Sequence, residues 1–337
     1  MAQIATNAAI GIGISSVLIT IIGAFFLKKV LGKLKNSKKI PTEWVKVGTV
    51  KELYIFPMKS TKGIKSEKLF LTEKGVREID KNDNTILLQD RTFCIYTSKD
   101  LEVRSARQLP KIIQISIQAA SNGVILKAPN KVDLYINLPK VKNNIRAKFG
   151  KELFTLTDCG HSVANWLSSF LLNKNEGLRL GYGTGNPART LVRDNPKLAG
   201  HYPGFDDTLA GIFSDYAALH AVNAATVQNL NERLENGVDF MNFRPNILIE
   251  GPEAFAEDRW TFVKFGNVVT ESVMECPRCI TTTVSSSGVF HEERQPLKTL
   301  DSYRKSEGPI KTGVMGTYHK VLKTGVIHLG DSVYVPK

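Results

Sequence analysis

The 337-residue chain has enough length for one large or two ordinary domains, and its 42% apolar and 23% charged content excludes a largely disordered protein. Its net charge of +13 is uneven, because six lysines lie between residues 28 and 39 with no acid among them. No basic motif interleaved with aromatic residues follows, so we expect no nucleic-acid partner. Four cysteines are too few for a disulfide scaffold and favour a reducing compartment such as the cytosol.

The amino-terminal segment is apolar enough to cross a membrane. Residues Ala8–Leu27 carry no charge, and a helix of about 20 residues spans about 30 Å, the hydrocarbon thickness of a bilayer. The lysines follow this segment, which is the reverse of a signal peptide and keeps the remaining chain on the cytosolic side. We predict a retained single-pass anchor; a buried core helix or a cleaved targeting segment are the alternatives. Moderate hydrophobicity with a basic flank favours the mitochondrial outer membrane.

Short extended patterns dominate the chain after about Pro41. They are rich in β-branched and aromatic residues with partial alternation, which is typical of strands. The final pattern is predicted to form two strands around Gly330-Asp331, as in a hairpin. The predicted strand regions are 47–56, 91–97, 111–119, 123–128, 132–139, 245–251, 260–270 and 325–335.

Two helices are predicted between these strands. Residues 161–172 place apolar side chains on one face at helical spacing, and residues 224–237 follow Asn223, a possible N-cap. Residues 174–210 are rich in Gly, Asn, Pro and Asp, which indicates a long connection or a domain junction. The fold class is therefore α+β and strand-rich, with barrel-like sheets.

The sequence ECPRCITTTV contains one close cysteine pair, Cys276 and Cys279. A structural zinc site needs four ligands, and no second pair or paired histidines follow. A thioredoxin-type redox pair opens a helix, whereas the residues at 280–284 are β-branched and predict a strand. Two interpretations stay open: one cysteine ligates a soft metal beside a structural neighbour, or both are inert and buried.

Several cationic side chains are predicted to lie on loops at strand ends. They are Lys59 beside Ser60, Arg91, Arg244 and Arg278. Together they could clamp an anion, since guanidinium groups suit phosphate, although each alone could equally be a solvated surface charge. Ser214-Asp215 is a further polar pair, for which a helix N-cap is the simpler explanation.

These motifs resemble those of the MOSC-domain proteins, and with the amino-terminal anchor they resemble the mitochondrial amidoxime reducing components. The resemblance extends from about residue 45 to the end of the chain. It implies an anchor and basic tether over 1–40, a MOSC N-terminal region with a barrel-like or α/β subdomain over 41–180, and a MOSC β-barrel domain over 181–337. The motifs are FPMKSTKG, DRTF, SARQLPKI, FSDY, NFRPNILIEG, ECPRCITTTV, LKTLDSYR and GTY.

The resemblance implies an enzyme that binds Mo-molybdopterin, the molybdenum cofactor. The second cysteine of CxRC, Cys279, would ligate the metal, and Cys276 would make no direct contact; a soft thiolate suits such a centre. Asp215 is expected to face the metal and deliver protons. Tyr216 replaces a small hydroxyl residue and is not counted as a contact. The implied cofactor contacts are Lys59, Ser60, Arg91, Ser214, Arg244, Asn246, Pro277, Arg278, Cys279 and Tyr318.

The implied reaction is the two-electron reduction of N-hydroxylated substrates, such as amidoximes and hydroxylamines. Nothing in the chain resembles a nicotinamide or flavin site, and no pyridoxal phosphate is implied. The resemblance therefore implies that electrons come from cytochrome b5 and its NADH-dependent reductase, delivered to a membrane-anchored monomer. The alternatives are a sulfur or cofactor carrier that uses Cys279 as a persulfide, and a non-catalytic basic module on a membrane surface.

Overall fold

The computed structural model describes residues 39–80, 82, 86–140, 143–183 and 189–337. The predicted anchor at Ala8–Leu27 lies outside these residues. Among the residues that are described, no helix is both long and apolar enough to cross a bilayer. The described residues from Glu43 to Lys337 belong to one compact unit, and the account below concerns that unit.

Strands are the main regular secondary structure of the described chain, with few helices. The helices are α1 His161–Leu172, α2 Leu191–Asp194, α3 Pro196–His201, α4 Ala224–Asn231 and α5 Leu297–Tyr303. Short 3-10 helices cover Pro110–Gln114, Phe240–Phe243, Ala256–Arg259 and Ile280–Thr283. The strands are β1 Trp44–Ile55, β2 Ile64–Ser66, β3 Lys68–Thr72, β4 Gly75–Ile79, β5 Ile86–Gln89, β6 Phe93–Thr97, β7 Val103–Arg104, β8 Ser116–Ala120, β9 Gly123–Lys127, β10 Leu134–Asn137, β11 Ile145–Phe149, β12 Glu152–Asp158, β13 Leu178–Tyr182, β14 Leu219–Asn223, β15 Ile247–Glu250, β16 Phe262–Phe265, β17 Val268–Pro277, β18 Val314–Lys323, β19 Gly325–His328 and β20 Ser332–Pro336.

Seven strands close into a barrel. Their order is β15-β14-β18-β17-β16-β20-β1, and β1 pairs again with β15 to complete the circle. All neighbours are antiparallel except β14 and β15, whose parallel pairing requires a crossover that α4 and a 3-10 helix provide. Because β1 joins a barrel otherwise made of strands after residue 219, the first strand and the last third of the chain share one core.

The barrel core is mostly aliphatic but contains one fully satisfied polar group. Leu53, Ile247 and Val263 are buried among the apolar side chains of this core. Buried His319 also lies here, with Thr270 Oγ1 3.0 Å from its Nδ1 and Thr317 Oγ1 2.8 Å from its Nε2. Burial lowers the pKa of His319 to about 3, so the ring stays neutral at physiological pH.

Three smaller sheets and α1 surround the barrel. The sheet orders are β10-β9-β8, β11-β12-β13-β6-β7 and β19-β3-β4-β5. Helix α1 has the predicted bounds and the predicted apolar face, with Val163 and Leu167 fully buried and Phe170 packed against them. Trp166 is also buried, and its indole N–H donates to the carbonyl oxygen of Val132 at 2.8 Å. The prediction of a strand-rich α+β fold with a barrel is confirmed.

Several local predictions are corrected by how the strands pair. Region 260–270 is not one strand but a hairpin, because β16 and β17 pair around a turn with Gly266 at φ 55°. The two strands of 325–335 exist but do not pair with each other: β19 joins β3, and β20 joins β1 and β16. The described residues of the region 174–210 are not one long connection, since they contain β13 and two short helices.

Helix α4 and the threonine-rich segment also differ from prediction. Helix α4 begins as predicted, with the Asn223 side chain accepting a hydrogen bond from the Ala225 N–H, but it ends at Asn231. Residues Ile280–Thr283 form a 3-10 helix, not a strand. The hydroxyls of Thr282 and Thr283 donate to carbonyl oxygens three residues earlier, which satisfies a tight turn that β-branched residues alone would not favour.

Candidate functional site

Three loops meet at one edge of the barrel. Because β1 runs antiparallel to β15, the end of β1 lies beside the start of β15. Strand β14 runs parallel to β15, so its start lies at the same edge. The loops that carry Lys59, Asp215 and Arg244 therefore come together. The 3-10 helix after β17 joins them through Asn242, whose side-chain amide donates to the Thr282 carbonyl oxygen at 2.9 Å.

Three of the predicted site residues have left-handed backbone conformations. Ser60, Arg91 and Arg244 have φ values of 69°, 50° and 53°, a region that residues with a Cβ rarely adopt. Surrounding contacts hold Arg91 in place: its N–H donates to the Phe56 carbonyl oxygen at 2.7 Å, and its own carbonyl accepts from Phe213 at 3.0 Å. Backbone strain of this kind concentrates where side chains must be aimed at a ligand.

Lys59 and Asp215 form an ion pair at the wall of the cavity. The ammonium donates to the Asp215 carboxylate at 2.6 Å and to the Phe213 carbonyl oxygen at 3.0 Å. The Lys59 side chain is 6% exposed, whereas that of Asp215 is 46% exposed and faces the cavity. Burial alone would raise the pKa of Asp215, but the Lys59 ammonium holds that pKa well below its ordinary value. Asp215 is therefore a carboxylate at neutral pH.

Arg91 is supported by a buried carboxylate, that of Asp90. Asp90 pairs with the Arg91 guanidinium and also accepts from the Phe56 N–H at 2.7 Å. The Asn246 amide donates to the same carboxylate at 3.1 Å, and its oxygen accepts from the His220 N–H at 3.2 Å. Asn246 is fully buried and does not line the cavity, so its contacts support Arg91 from behind.

Two other guanidinium groups are incompletely paired. In the described part of the chain, Nη2 of Arg244 and Nε of Arg278 are buried with no hydrogen-bond acceptor. Arg244 and Arg91 both lie over the ring of Phe56, 4.4 and 5.1 Å from its centroid. Burial, followed by the charge of Arg91, lowers the pKa of Arg244 to about 9. Buried donors without acceptors are costly, so this arrangement favours a bound anion.

Cys279 lies where the cationic cavity opens outward. Burial alone would raise the pKa of Cys279, but the Arg107 guanidinium and hydrogen bonds from Thr281 bring it below the ordinary value for a thiol. All four cysteines are free. Cys276 is buried, and its sulfur accepts a hydrogen bond from Nη1 of Arg278. The two cysteines thus differ: Cys276 positions Arg278, and Cys279 faces the cavity.

The cavity has an inner and an outer part that share one wall. The inner pocket contains Lys59, Ser60, Arg91, Arg244, Arg278 and Cys279. The outer pocket, of about 350 Å³, adds Lys151, Glu152, Asn195, Tyr216 and Pro277. The shared wall is formed by Arg107, Phe149, Asp215, Arg278, Cys279 and Tyr318.

Eight of the ten predicted cofactor contacts line this cavity, and two do not. Asn246 supports Arg91, as described above. Ser214 is buried, and its hydroxyl accepts from the Gly211 N–H at 2.8 Å, so it shapes the loop that carries Asp215 and does not cap a helix. The outer pocket also contains Tyr216, which was not counted as a contact. In the described chain, no three His, Cys, Asp or Glu side chains cluster as ligands for a metal ion.

Several further cavity residues escaped the sequence analysis. Arg107 lies within the SARQLPKI motif, so that motif was the available signal, but its charge was not linked to the other cations. Thr281 lies within the ECPRCITTTV motif, whereas Phe149 and His220 gave no signal, since each occurs in an ordinary strand pattern. Burial holds the pKa of His220 well below its ordinary value, and its ring nitrogens face the carbonyl oxygens of Arg244 and Met315.

Comparison with known proteins identifies the family of the chain. Residues 47–174 match the MOSC N-terminal beta barrel domain, and residues 209–334 match the MOSC domain. The chain is 34% identical to human mitochondrial amidoxime reducing component 2, over 86% of this chain and 83% of the relative. The chain belongs to the family of the mitochondrial amidoxime reducing components. Human component 1 is 32% identical with the same coverage, and the zebrafish (Danio rerio) component 1 is 30% identical over 90% of both chains.

The donors present in this family member fit a phosphate-bearing molybdenum cofactor. The unsatisfied nitrogens of Arg244 and Arg278 supply the cationic hydrogen-bond donors that a phosphate accepts. Cys279 supplies a soft sulfur ligand in the same cavity. The family resemblance predicted from the sequence is confirmed, and the cavity contains the donor types that it implies.

Proposed function

We propose that this protein is a molybdenum-dependent oxidoreductase that reduces N-hydroxylated compounds, converting amidoximes to amidines and hydroxylamines to amines. The observation that carries the proposal is a single cavity that brings together a thiol of lowered pKa and buried guanidinium donors that have no acceptor. Membership in the amidoxime reducing component family supports the substrate class. The relatives are mitochondrial amidoxime reducing components by name, which also supports a mitochondrial location.

The net reaction removes one oxygen atom from the substrate. An amidoxime takes up two electrons and two protons, its N–O bond breaks, and the products are an amidine and water. When bound, the molybdenum cofactor supplies the two-electron redox chemistry. Cys279 would hold its metal, and the chain's cations would hold its phosphate and pterin. Those cations are Lys59, Arg91, Arg244 and Arg278.

Asp215 would act as a hydrogen-bond acceptor and not, as expected from the sequence, as a proton donor. Its depressed pKa keeps it ionised, so its carboxylate can accept from the N–OH group of the substrate and from the N–H groups of the amidine product. This orients the N–O bond toward Cys279, which lines the same wall. Burial holds the pKa of Tyr318 well above its ordinary value, so its hydroxyl stays a donor. The reaction's protons then come from solvent that enters through the outer pocket.

The electron donors are proposed to be cytochrome b5 and its NADH-dependent reductase. The amino-terminal segment Ala8–Leu27 would anchor the protein to the mitochondrial outer membrane with the catalytic part in the cytosol. Confinement to one membrane plane would raise the effective concentration of these partners. The protein is proposed to act as a monomer.

The test is reduction of benzamidoxime by the purified holoenzyme with NADH, cytochrome b5 reductase and cytochrome b5. Cys279→Ala is expected to lower kcat/KM at least about 1000-fold, equivalent to about 4 kcal/mol of transition-state stabilisation. Cys159→Ser is the matched control, because Cys159 is a partly exposed cysteine outside the cavity. Activity retained in Cys279→Ala would refute the assignment.

The same preparation separates the enzyme from a sulfur carrier. The carrier alternative requires a persulfide on Cys279 and no stoichiometric molybdenum, which intact-mass and metal measurements detect. Bound molybdenum with an unmodified Cys279 supports the enzyme. A persulfide on Cys279 without bound molybdenum would refute the enzyme and support the sulfur carrier.

A further inference from the structure

The outer pocket is the route by which a small molecule can reach Cys279. It shares the wall that contains Cys279 and Asp215 with the inner pocket. Its volume of about 350 Å³ lies at the low end of the range for small-molecule sites. Phe149 and Tyr216 give it aromatic surface, which suits a planar substrate of one ring.

The carboxylates that face this pocket are already neutralised. The Glu152 carboxylate accepts two hydrogen bonds from a buried guanidinium, at 2.7 and 2.9 Å. The Asp194 carboxylate accepts from a neighbouring arginine at 2.9 Å. Each of the three acids in the pocket therefore has its own cation: Glu152 with Arg189, Asp194 with Arg193 and Asp215 with Lys59.

Two exposed cations of the outer pocket have no carboxylate partner. Among the described residues, neither Lys151 nor Arg107 forms an ion pair, and both are exposed. Arg107 does lie near Cys279 and Asp215, whose charges favour its protonated form. Lys151, at the turn between β11 and β12, faces Asp194 across the pocket, but Asp194 is committed to Arg193. The mouth of the pocket therefore has an excess of positive charge.

We propose that the outer pocket selects N-hydroxylated substrates that carry a negatively charged group, such as a carboxylate or phosphate, at the end remote from the N–OH group. Lys151 binds that group, Arg107 beside Cys279 adds to the positive charge of the pocket, and Phe149 and Tyr216 contact the planar part. This inference rests on the proposed function and narrows its substrate class. Because the cations are exposed, the attraction is moderate and sensitive to salt.

The test compares a charged and a neutral substrate on the same holoenzyme. The quantity measured is the ratio of kcat/KM for 4-carboxybenzamidoxime to kcat/KM for benzamidoxime. We expect the wild-type ratio to exceed one, to fall about three- to fivefold in Lys151→Gln, and to fall by about tenfold or more in Lys151→Glu. Lys148→Gln is the matched control, because Lys148 is an exposed lysine on the same hairpin outside the pocket. Its ratio should equal that of the wild type.

Product binding provides a readout that does not depend on electron delivery. The inhibition constants of 4-carboxybenzamidine and benzamidine are expected to show the same preference and the same loss in Lys151→Glu. An unchanged ratio in Lys151→Glu, with both substrates still reduced, would overturn the inference and leave the proposed function intact. A Lys151 effect confined to the KM for reduced cytochrome b5 would also overturn it, in favour of a docking role. Failure of the wild type to reduce either substrate would overturn both.

Discussion

Arginine has opposite roles in two neighbouring regions of the molecule. Arg189, which is 5% exposed, uses all five of its N–H groups: Glu152 accepts two of them, and the carbonyl oxygens of Gly211, Ser214 and Asp215 accept the rest at 2.8–3.0 Å. Arg244 in the inner pocket has a buried nitrogen with no acceptor. The Arg189 guanidinium is fully hydrogen-bonded within the protein, whereas the Arg244 guanidinium has a donor left for a ligand.

This difference separates an arginine that supports the fold from arginines that can bind a ligand. Arg189 fixes the loop that carries Asp215, because three of its acceptors are backbone carbonyls of residues 211–215. Its side chain contacts no substrate, so it is a positioning residue. The unpaired nitrogens of Arg244 and Arg278 make no hydrogen bond that would stabilise the fold. A buried cation whose donors are all used therefore indicates a structural role, and a cavity-lining cation with unused donors indicates a binding role.

The largest expected effect on stability comes from removing the fully hydrogen-bonded guanidinium of Arg189. Arg189→Met leaves Glu152 without its cation and three carbonyl oxygens without a donor, so the free energy of unfolding should fall by about 3–5 kcal/mol. Urea denaturation followed by circular dichroism measures this change. Arg193→Met is the control, because the Arg193 side chain, which pairs with Asp194, is 70% exposed. Loss of this pair should cost at most about 1 kcal/mol. Equal losses in the two variants would contradict the structural role of Arg189.

A smaller effect is expected from the satisfied histidine inside the barrel. His319 is neutral when folded, with a pKa of about 3 against 6.5 ordinarily. Between these values the unfolded chain binds the extra proton, so stability falls as the pH falls through this window. From pH 7 to pH 5 the contribution of His319 is roughly 2 kcal/mol.

His319→Gln should remove that part of the pH dependence. The measurement is the free energy of unfolding at pH 7 and pH 5 for both proteins. His328→Gln is the control, because His328 is exposed. If His319→Gln and the wild type lose the same stability over this interval, the ring is not held neutral by burial.

The sequence was most informative where one local pattern decides the structure. Helix α1 follows from a single apolar face, and its bounds were predicted as observed. Strand partners were not predictable in this way: β19 and β20 are adjacent in sequence but pair in different sheets, because long-range packing selects their neighbours. The threonines after Cys279 favour a strand by type, yet local hydroxyl-to-carbonyl hydrogen bonds stabilise a 3-10 helix.

The site was predictable to the extent that motifs carry its residues. Lys59, Arg91, Arg244 and Cys279 belong to motifs of the family, and all four line the cavity. The motifs do not distinguish a residue that faces the cavity from one that supports it, which is why Ser214 and Asn246 were grouped with the contacts. Which donors remain unsatisfied depends on three-dimensional contacts and cannot be inferred from residue type.

The central claim is that the unsatisfied guanidinium donors and Cys279 form a molybdenum cofactor site, and the molybdenum content of Arg244→Met tests it most directly. Wild-type protein from a cofactor-competent host should contain about one molybdenum per chain, and Arg244→Met should contain at least about tenfold less, given about 3 kcal/mol for a charged hydrogen bond. Cofactor-free Arg244→Met should unfold within about 1 kcal/mol of cofactor-free wild type, since its open donor stabilises nothing there. Arg146→Met, an exposed arginine outside the cavity, is the control and should retain its molybdenum. Wild-type protein without molybdenum, or full occupancy in Arg244→Met, would contradict the account.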